Sequence, residues 1–191
     1  MLRKLMIISS LLCTSTAFAQ TDTAHNEASH AQLPSRRAGF KTDFEIAVDN
    51  SDHKELGTPM PQIVVKTPQG KYVTNETVKS DNNLLLMIFN PTCGHCEDET
   101  DSLVKNISLF KKSKLLMVAA PTMEQEMDNF IKFHHVAEQP AILIGLDNSK
   151  IIDRLFQYKL LPQINVYDKD RKLIKVFYGD AHIDSLKNYI E

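Results

Sequence analysis

The sequence predicts an α/β domain preceded by a leader and a polar extension, and three observations carry that reading. From Gln62 onward, short apolar runs alternate with segments of helical periodicity, the order that builds a sheet covered by helices. The run Leu84-Leu85-Leu86-Met87-Ile88-Phe89 has no polar interruption, as a strand buried on both faces requires, and Asn90-Pro91 ends it. The size also fits: 191 residues, 42% hydrophobic and 24% charged, suffice for one domain with extensions and exclude collagen-like, coiled-coil and wholly disordered chains. A net charge of −2 gives no global attraction to nucleic acid, so none is expected as a partner.

Residues 1–19 read as a signal peptide. Arg3 and Lys4 precede the apolar run Leu5 to Leu12, and Ala17-Phe18-Ala19 supplies the small-x-small cleavage pattern, so the protein is expected to be exported and cut after Ala19. The apolar run is far shorter than the roughly 20 residues of a membrane span. Cleavage removes Cys13 and leaves Cys93 and Cys96, a pair that an oxidising compartment would not preserve as idle thiols. Residues 20–58 are a polar extension with His25, His30 and His53, expected to be flexible, and residues 59–191 form the folded domain.

Within that domain, Gln62–Val65 and Lys71–Thr74 flank the turn Thr67-Pro68-Gln69-Gly70 and read as a hairpin. After the central strand, Leu103, Val104, Ile107 and Phe110 recur at helical spacing, predicting a helix from Cys93 to about Phe110. Leu115–Ala120 is a second buried strand. Thr122 and Gln125 form a capping-box pattern for a helix whose inner face is Met127, Phe130 and Ile131, with His134-His135 at its end. Ala141–Leu146 is a third strand, and Asp147-Asn148-Ser149 is a turn. Lys150–Lys159 reads as a helix stopped by Leu161-Pro162. Ile164–Tyr167 and Leu173–Tyr178 pair across Asp168–Arg171, and Ile183, Leu186 and Ile190 mark a closing helix.

Cys93-Gly94-His95-Cys96 lies where a buried strand hands over to a helix. The unpaired amides and dipole of a first helical turn stabilise a thiolate there, which suits Cys93 as attacking sulfur. The spacing lets Cys96 reach Cys93, so Cys96 is the resolving sulfur of an exchange through a mixed disulfide. Protonated His95 would stabilise the Cys93 thiolate further. Glu97, Asp98, Glu99 and Asp101 act the other way, suiting the helix dipole but repelling a thiolate; their ordinary reading is a solvated helix face. A zinc site would need ligands that no second C-x-x-C or close H-x-x-x-H supplies, and a purely structural disulfide closing so small a loop adds little stability.

Leu84–Asn90, the C-G-H-C run and Leu160-Leu161-Pro162-Gln163-Ile164-Asn165-Val166-Tyr167-Asp168 together resemble the thioredoxin fold, specifically the exported TlpA/ResA-like thiol–disulfide oxidoreductases. The resemblance covers roughly Pro59 to Glu191. It implies a central mixed β-sheet flanked by helices, an N-terminal hairpin at Pro61–Val65 with Gln69-Gly70-Lys71, and an inserted strand and helix beginning at Ala141. It implies that Pro162 is a cis-proline facing the cysteines and that the Leu161 backbone pairs with a bound partner chain. Expected partners are cysteine-containing exported proteins and a membrane or periplasmic redox partner; no cofactor is expected. Two departures stand out. Thr92 replaces the tryptophan many thioredoxins carry before the first cysteine, and Met87 occupies the place of their buried acid.

Two other functions are compatible with parts of the sequence. Two thiolates and an imidazole, His182 being the late candidate, would suit a copper carrier. A thiol peroxidase would need an arginine near Cys93, which Arg154 or Arg171 could supply only through the fold.

Overall fold

The computed structural model describes residues 54–156 and 158–190. The leader assigned to residues 1–19, and the extension up to residue 53, lie outside them. Among the described residues seven strands form one sheet: β1 (Val64–Lys66), β2 (Tyr72–Thr74), β3 (Leu84–Ile88), β4 (Lys114–Ala119), β5 (Ile142–Asp147), β6 (Gln163–Tyr167) and β7 (Leu173–Tyr178), in the order β2-β1-β5-β4-β3-β6-β7. The helices are α1 (Gly94–Lys105), α2 (Glu124–Phe133) and α3 (Ile183–Leu186).

β3, β4 and β5 are parallel; the remaining pairings are antiparallel, so the sheet is mixed. The inserted strand β5 lies between β4 and β1 and thereby joins the N-terminal hairpin to the rest of the sheet. Gly145, in the middle of β5, permits that junction, because a Cβ there would collide with the Lys66 carbonyl of β1.

The all-apolar composition of β3 follows from its place between two cores. Leu85, Met87 and Phe89 enter one cluster with residues of α1, α2 and α3, whereas Leu84, Leu86 and Ile88 enter another with Met60, Ile63, Val73 and Phe156. The chain ahead of Pro59 is already tied to this frame, since Gly57 N–H donates to Leu173 O at 2.7 Å and Leu173 N–H to Thr58 O at 2.8 Å.

Four expected helices differ from the pattern reading: the closing one is the single turn α3 followed by the 3₁₀ turn Lys187–Tyr189, with Ile190 extended beyond it, and the other three differ for local reasons. α1 ends at Lys105, because Asn106 folds its side chain back onto Ser102 O at 2.8 Å; Ile107–Phe110 continues as a 3₁₀ turn that still buries Phe110. The capping box at Thr122 does not form. Pro121–Met123 is a 3₁₀ turn with Ala120 at its N-cap, so Thr122 lies inside the turn with no side-chain cap bond, although Met127 and Phe130 are buried as expected. Lys150–Lys159 shortens to a π-helical turn, Ile152–Phe156, since Lys150 has φ of 53° and cannot begin a helix. Asp147 secures that entry: its carboxylate accepts Ser149 N–H at 3.1 Å, Ser149 Oγ–H at 2.7 Å and Ile152 N–H at 2.8 Å.

Candidate redox site

β3 runs into the loop Phe89–Thr92, and Asn90 shapes its end. Asn90 Oδ1 accepts Thr92 N–H at 2.8 Å and Thr92 Oγ1–H at 2.9 Å, while Cys93 N–H donates to Asn90 O at 3.1 Å. This turn delivers Cys93 to the N-cap of α1 in an extended conformation, φ −100° and ψ 117°. Cys93 is half-buried; Cys96, one turn on, is fully buried in the core cluster that contains Met87 and Phe89. Both are free thiols.

The two sulfurs therefore differ in environment. Burial pushes the Cys96 thiol up to about 12; the Asn90 N–H, which Cys96 Sγ accepts at 3.5 Å, opposes this, and contact with Cys93 and the charge of Asp180 add to it. A Cys96 proton is consequently retained at neutral pH until something takes it. Cys93 has the water access and the helix N-terminus that a nucleophilic thiolate uses.

Pro162 follows a cis Leu161–Pro162 peptide. Register fixes its height: Gln163 pairs with Ile88, so Pro162 lies at the end of the sheet from which β3 leads to Cys93. Pro162 O accepts Gly179 N–H at 2.8 Å, tying this loop to the end of β7. His95 is 70% exposed and places Nδ1 3.4 Å from Asp180 Oδ1, an exposed ion pair on the rim when the imidazole is charged.

Glu99 was not separated from its acidic neighbours by the sequence reading, yet it is the buried one. Its side chain falls on the same helix stripe as Cys96, Thr100 and Leu103, the signal by which it could have been found. Oε2 accepts Ala181 N–H at 2.9 Å and Oε1 has no partner. Burial raises its carboxyl to about 7; the Ala181 bond pulls it down and Asp180 repulsion adds to the rise.

Two concavities flank α1. Towards α2, an open groove of about 840 Å³ is lined by Pro91, Thr92, Phe130, Phe133 and His135, with Phe133 77% exposed. Towards the segment after β7, a cleft of about 320 Å³ is lined by Asp98, Glu99, Asp180, Ala181, His182 and Asp184.

Among the described residues the rival functions find no assembled site. Among the described residues no three of His, Cys, Asp or Glu are grouped to hold a metal ion, so His182 does not join the two thiols in a copper set. Arg171 is at the opposite end of the sheet, beyond Tyr167, which pairs with Leu84; its Nη1 and Nη2 donate to Asn82 O, Asp168 O, Val78 O and Ser80 Oγ. Arg154 is exposed and donates to Lys150 O.

The sequence matches no protein-family model and no curated protein. Solved structures do resemble this one. The thioredoxin domain of a thiol-disulfide oxidoreductase from Bacteroides vulgatus superposes with TM-score 0.59 at 18% identity, over 72% of this chain and 99% of that one. A putative thiol:disulfide interchange protein DsbE from Chlorobium tepidum gives 0.56 at 18%, over 69% and 90%. StoA from Bacillus subtilis gives 0.54 at 17%, over 70% and 98%. The domain has a thioredoxin-like fold.

Proposed function

We propose that this chain is an exported thiol–disulfide oxidoreductase that exchanges disulfides with cysteine-containing proteins through Cys93 and Cys96. The observation that carries the reading is the inequality of the two sulfurs: Cys93 half-exposed at a helix N-cap, Cys96 buried one turn away at the end of a central strand. Export rests on the leader Met1–Ala19. The solved thiol–disulfide proteins of the same fold support the chemistry by analogy, and the order of hairpin, inserted strand and cis-proline agrees with a TlpA/ResA-like member.

In the reducing direction the Cys93 thiolate attacks one sulfur of a partner disulfide. The S–S bond breaks, the leaving partner thiolate takes a proton, and a mixed disulfide joins Cys93 to the partner. Cys96 then gives up its proton and attacks Cys93 Sγ, expelling the second partner thiolate, which is protonated in turn. Two electrons and two protons have passed to the partner, and Cys93–Cys96 is a disulfide that a dithiol protein donor resets. The slow point is the Cys96 proton, because burial holds it and Met87 offers no base. Glu99, on the same helix stripe and ionising near neutrality, is the nearest acid in sequence with a buried oxygen to receive it. Oxidation of a partner dithiol is the reverse sequence.

The test is the potential of the Cys93/Cys96 pair in the mature protein, equilibrated in dithiothreitol or glutathione buffers and read by thiol trapping. A value near or below about −250 mV assigns a reductase, and one near about −150 mV an oxidase or isomerase. Absence of a reversible two-electron couple overturns the proposal.

A further inference from the structure

The acidic cleft beside the dithiol has a feature that an ordinary solvated face lacks. Its floor is Glu99, 4% exposed, with Oε2 on Ala181 N–H and Oε1 without a partner. A buried carboxylate oxygen left unpaired is costly, and Asp180 beside it makes ionisation harder still. Asp98 and Asp184 add charge at the rim; His95, 3.4 Å from Asp180, and Lys187, 2.6 Å from Asp184, stand outside the lining, and the exposed His182 is part of it. The cleft thus concentrates negative potential around one under-satisfied acceptor: four carboxyl side chains, Asp98, Glu99, Asp180 and Asp184, line it against the single exposed imidazole of His182.

We infer that this cleft receives the ammonium or guanidinium group of a lysine or arginine on the partner polypeptide, near in sequence to the partner cysteine that reacts with Cys93. The inference rests on the thiol–disulfide reading and adds a determinant of which partners are chosen. A compact metal ion is the wrong occupant, because no three of these carboxylates and imidazoles are grouped to ligate one among the described residues. A cation carried on a methylene stem fits better. The space is about 320 Å³, Ala181 and Ile183 give the stem apolar contact, and the charged head brings the donors that Glu99 Oε1 lacks. Cys93 and this cleft share α1, so one polypeptide can present a disulfide to the first and a basic side chain to the second.

The experiment measures single-turnover reduction of synthetic disulfide peptides by the reduced mature protein. The peptides are identical except for Lys, Gln or Glu placed at successive offsets from the reactive cysteine. At low ionic strength, Lys is expected to exceed Gln by about tenfold at one or two offsets and Glu to fall below Gln, with the preference shrinking in 0.5 M salt (roughly a 4 Å screening length). In the variant carrying Asp98→Asn and Glu99→Gln, the Lys/Gln ratio is expected to fall below about twofold. Equal rates for the three peptides at every offset overturn the subsite and leave the oxidoreductase standing. So does a Lys preference independent of offset, or one unchanged in the folded double variant. Failure to reduce any peptide, with no reversible dithiol couple, removes the underlying reading itself.

Discussion

Glu99 and Arg171 are charged side chains withdrawn from water at opposite ends of the same sheet, and their surroundings treat them in opposite ways. The Arg171 guanidinium donates to Asn82 O at 3.0 Å, Asp168 O at 2.8 Å, Ser80 Oγ at 3.1 Å and Val78 O, clamping the β6–β7 turn to the loop before β3. Glu99 has one hydrogen bond, an orphan oxygen, a like charge nearby and a cleft above it. A charge whose terminal nitrogens donate to three backbone carbonyls and a hydroxyl holds a structure together, even with its Nε–H unpaired. A carboxyl left half-satisfied on the same helix stripe as Cys96 is available for chemistry or recognition. The same contrast recurs on a smaller scale between Cys96, sealed in the core, and Cys93 at its edge.

The largest effect expected is at the thiols. Raising the Cys96 thiol from 9.0 to about 12 lowers its thiolate population by about a thousandfold relative to an ordinary cysteine, before burial restricts access further. Iodoacetamide applied to the reduced native protein at pH 8 should label Cys93 alone, as read by mass spectrometry. Labelling of both sulfurs at similar rates would erase the distinction on which the exchange scheme rests.

At the other end of the sheet, Arg171→Met removes the clamp and leaves Val78 O, Asn82 O and Asp168 O without their donor. Stability should fall by about 3 kcal/mol in urea titration, while the exchange rate of the folded fraction stays within about twofold. A variant that keeps its stability but loses exchange activity would reverse the roles assigned to the two ends.

Glu99 should reveal itself through pH. Between about 4.5 and about 7 the folded protein holds a proton on this carboxyl that the unfolded chain has released. The folded state therefore binds more protons, and stability falls as pH rises through that window. From pH 5 to pH 8 the loss attributable to Glu99 is about 2 kcal/mol, and Glu99→Gln should abolish that part of the slope. An unchanged pH profile in the variant would mean that the carboxyl is ordinary and that its missing partner has no energetic consequence.

The difference between the two ends also marks where the sequence was informative. β3, the turn into Cys93, the hairpin β6–β7 and the strand β5 are written in local patterns, such as an unbroken apolar run, breaker residues and alternation, and they appear where those patterns place them. Thr122 satisfied a local capping pattern and still formed no cap, because Pro121 moved the start of the turn. Lys150–Lys159 satisfied a helical period but met a left-handed Lys150 and a carboxylate, Asp147, that capped a later amide. Glu99 looked like one of several solvated acids. Its burial depends on Ala181, a residue brought to α1 only by the completed fold. Arg171, weighed for catalysis, was removed from that role by strand register alone.

His95 supplies the smallest change in stability and a separate check on the functional end. Its imidazole is 70% exposed and Asp180 is 54% exposed, so the ion pair at 3.4 Å contributes little to folding, and His95→Gln should alter stability by less than about 0.5 kcal/mol. The role proposed for it predicts a sign. A charged imidazole in the C-G-H-C loop that favours the thiolate of the reduced form makes the disulfide more oxidising. The substitution removes that cation and leaves Asp180, whose charge already acts against ionisation of Cys96, without its imidazole partner. The potential should therefore become more negative, by about 20 mV on a scale where roughly 30 mV is tenfold in the two-electron equilibrium. A rise in potential would show that His95 acts otherwise than as a cation beside the dithiol. A loss of stability with no change in potential would place it with Arg171, among residues that hold the sheet together.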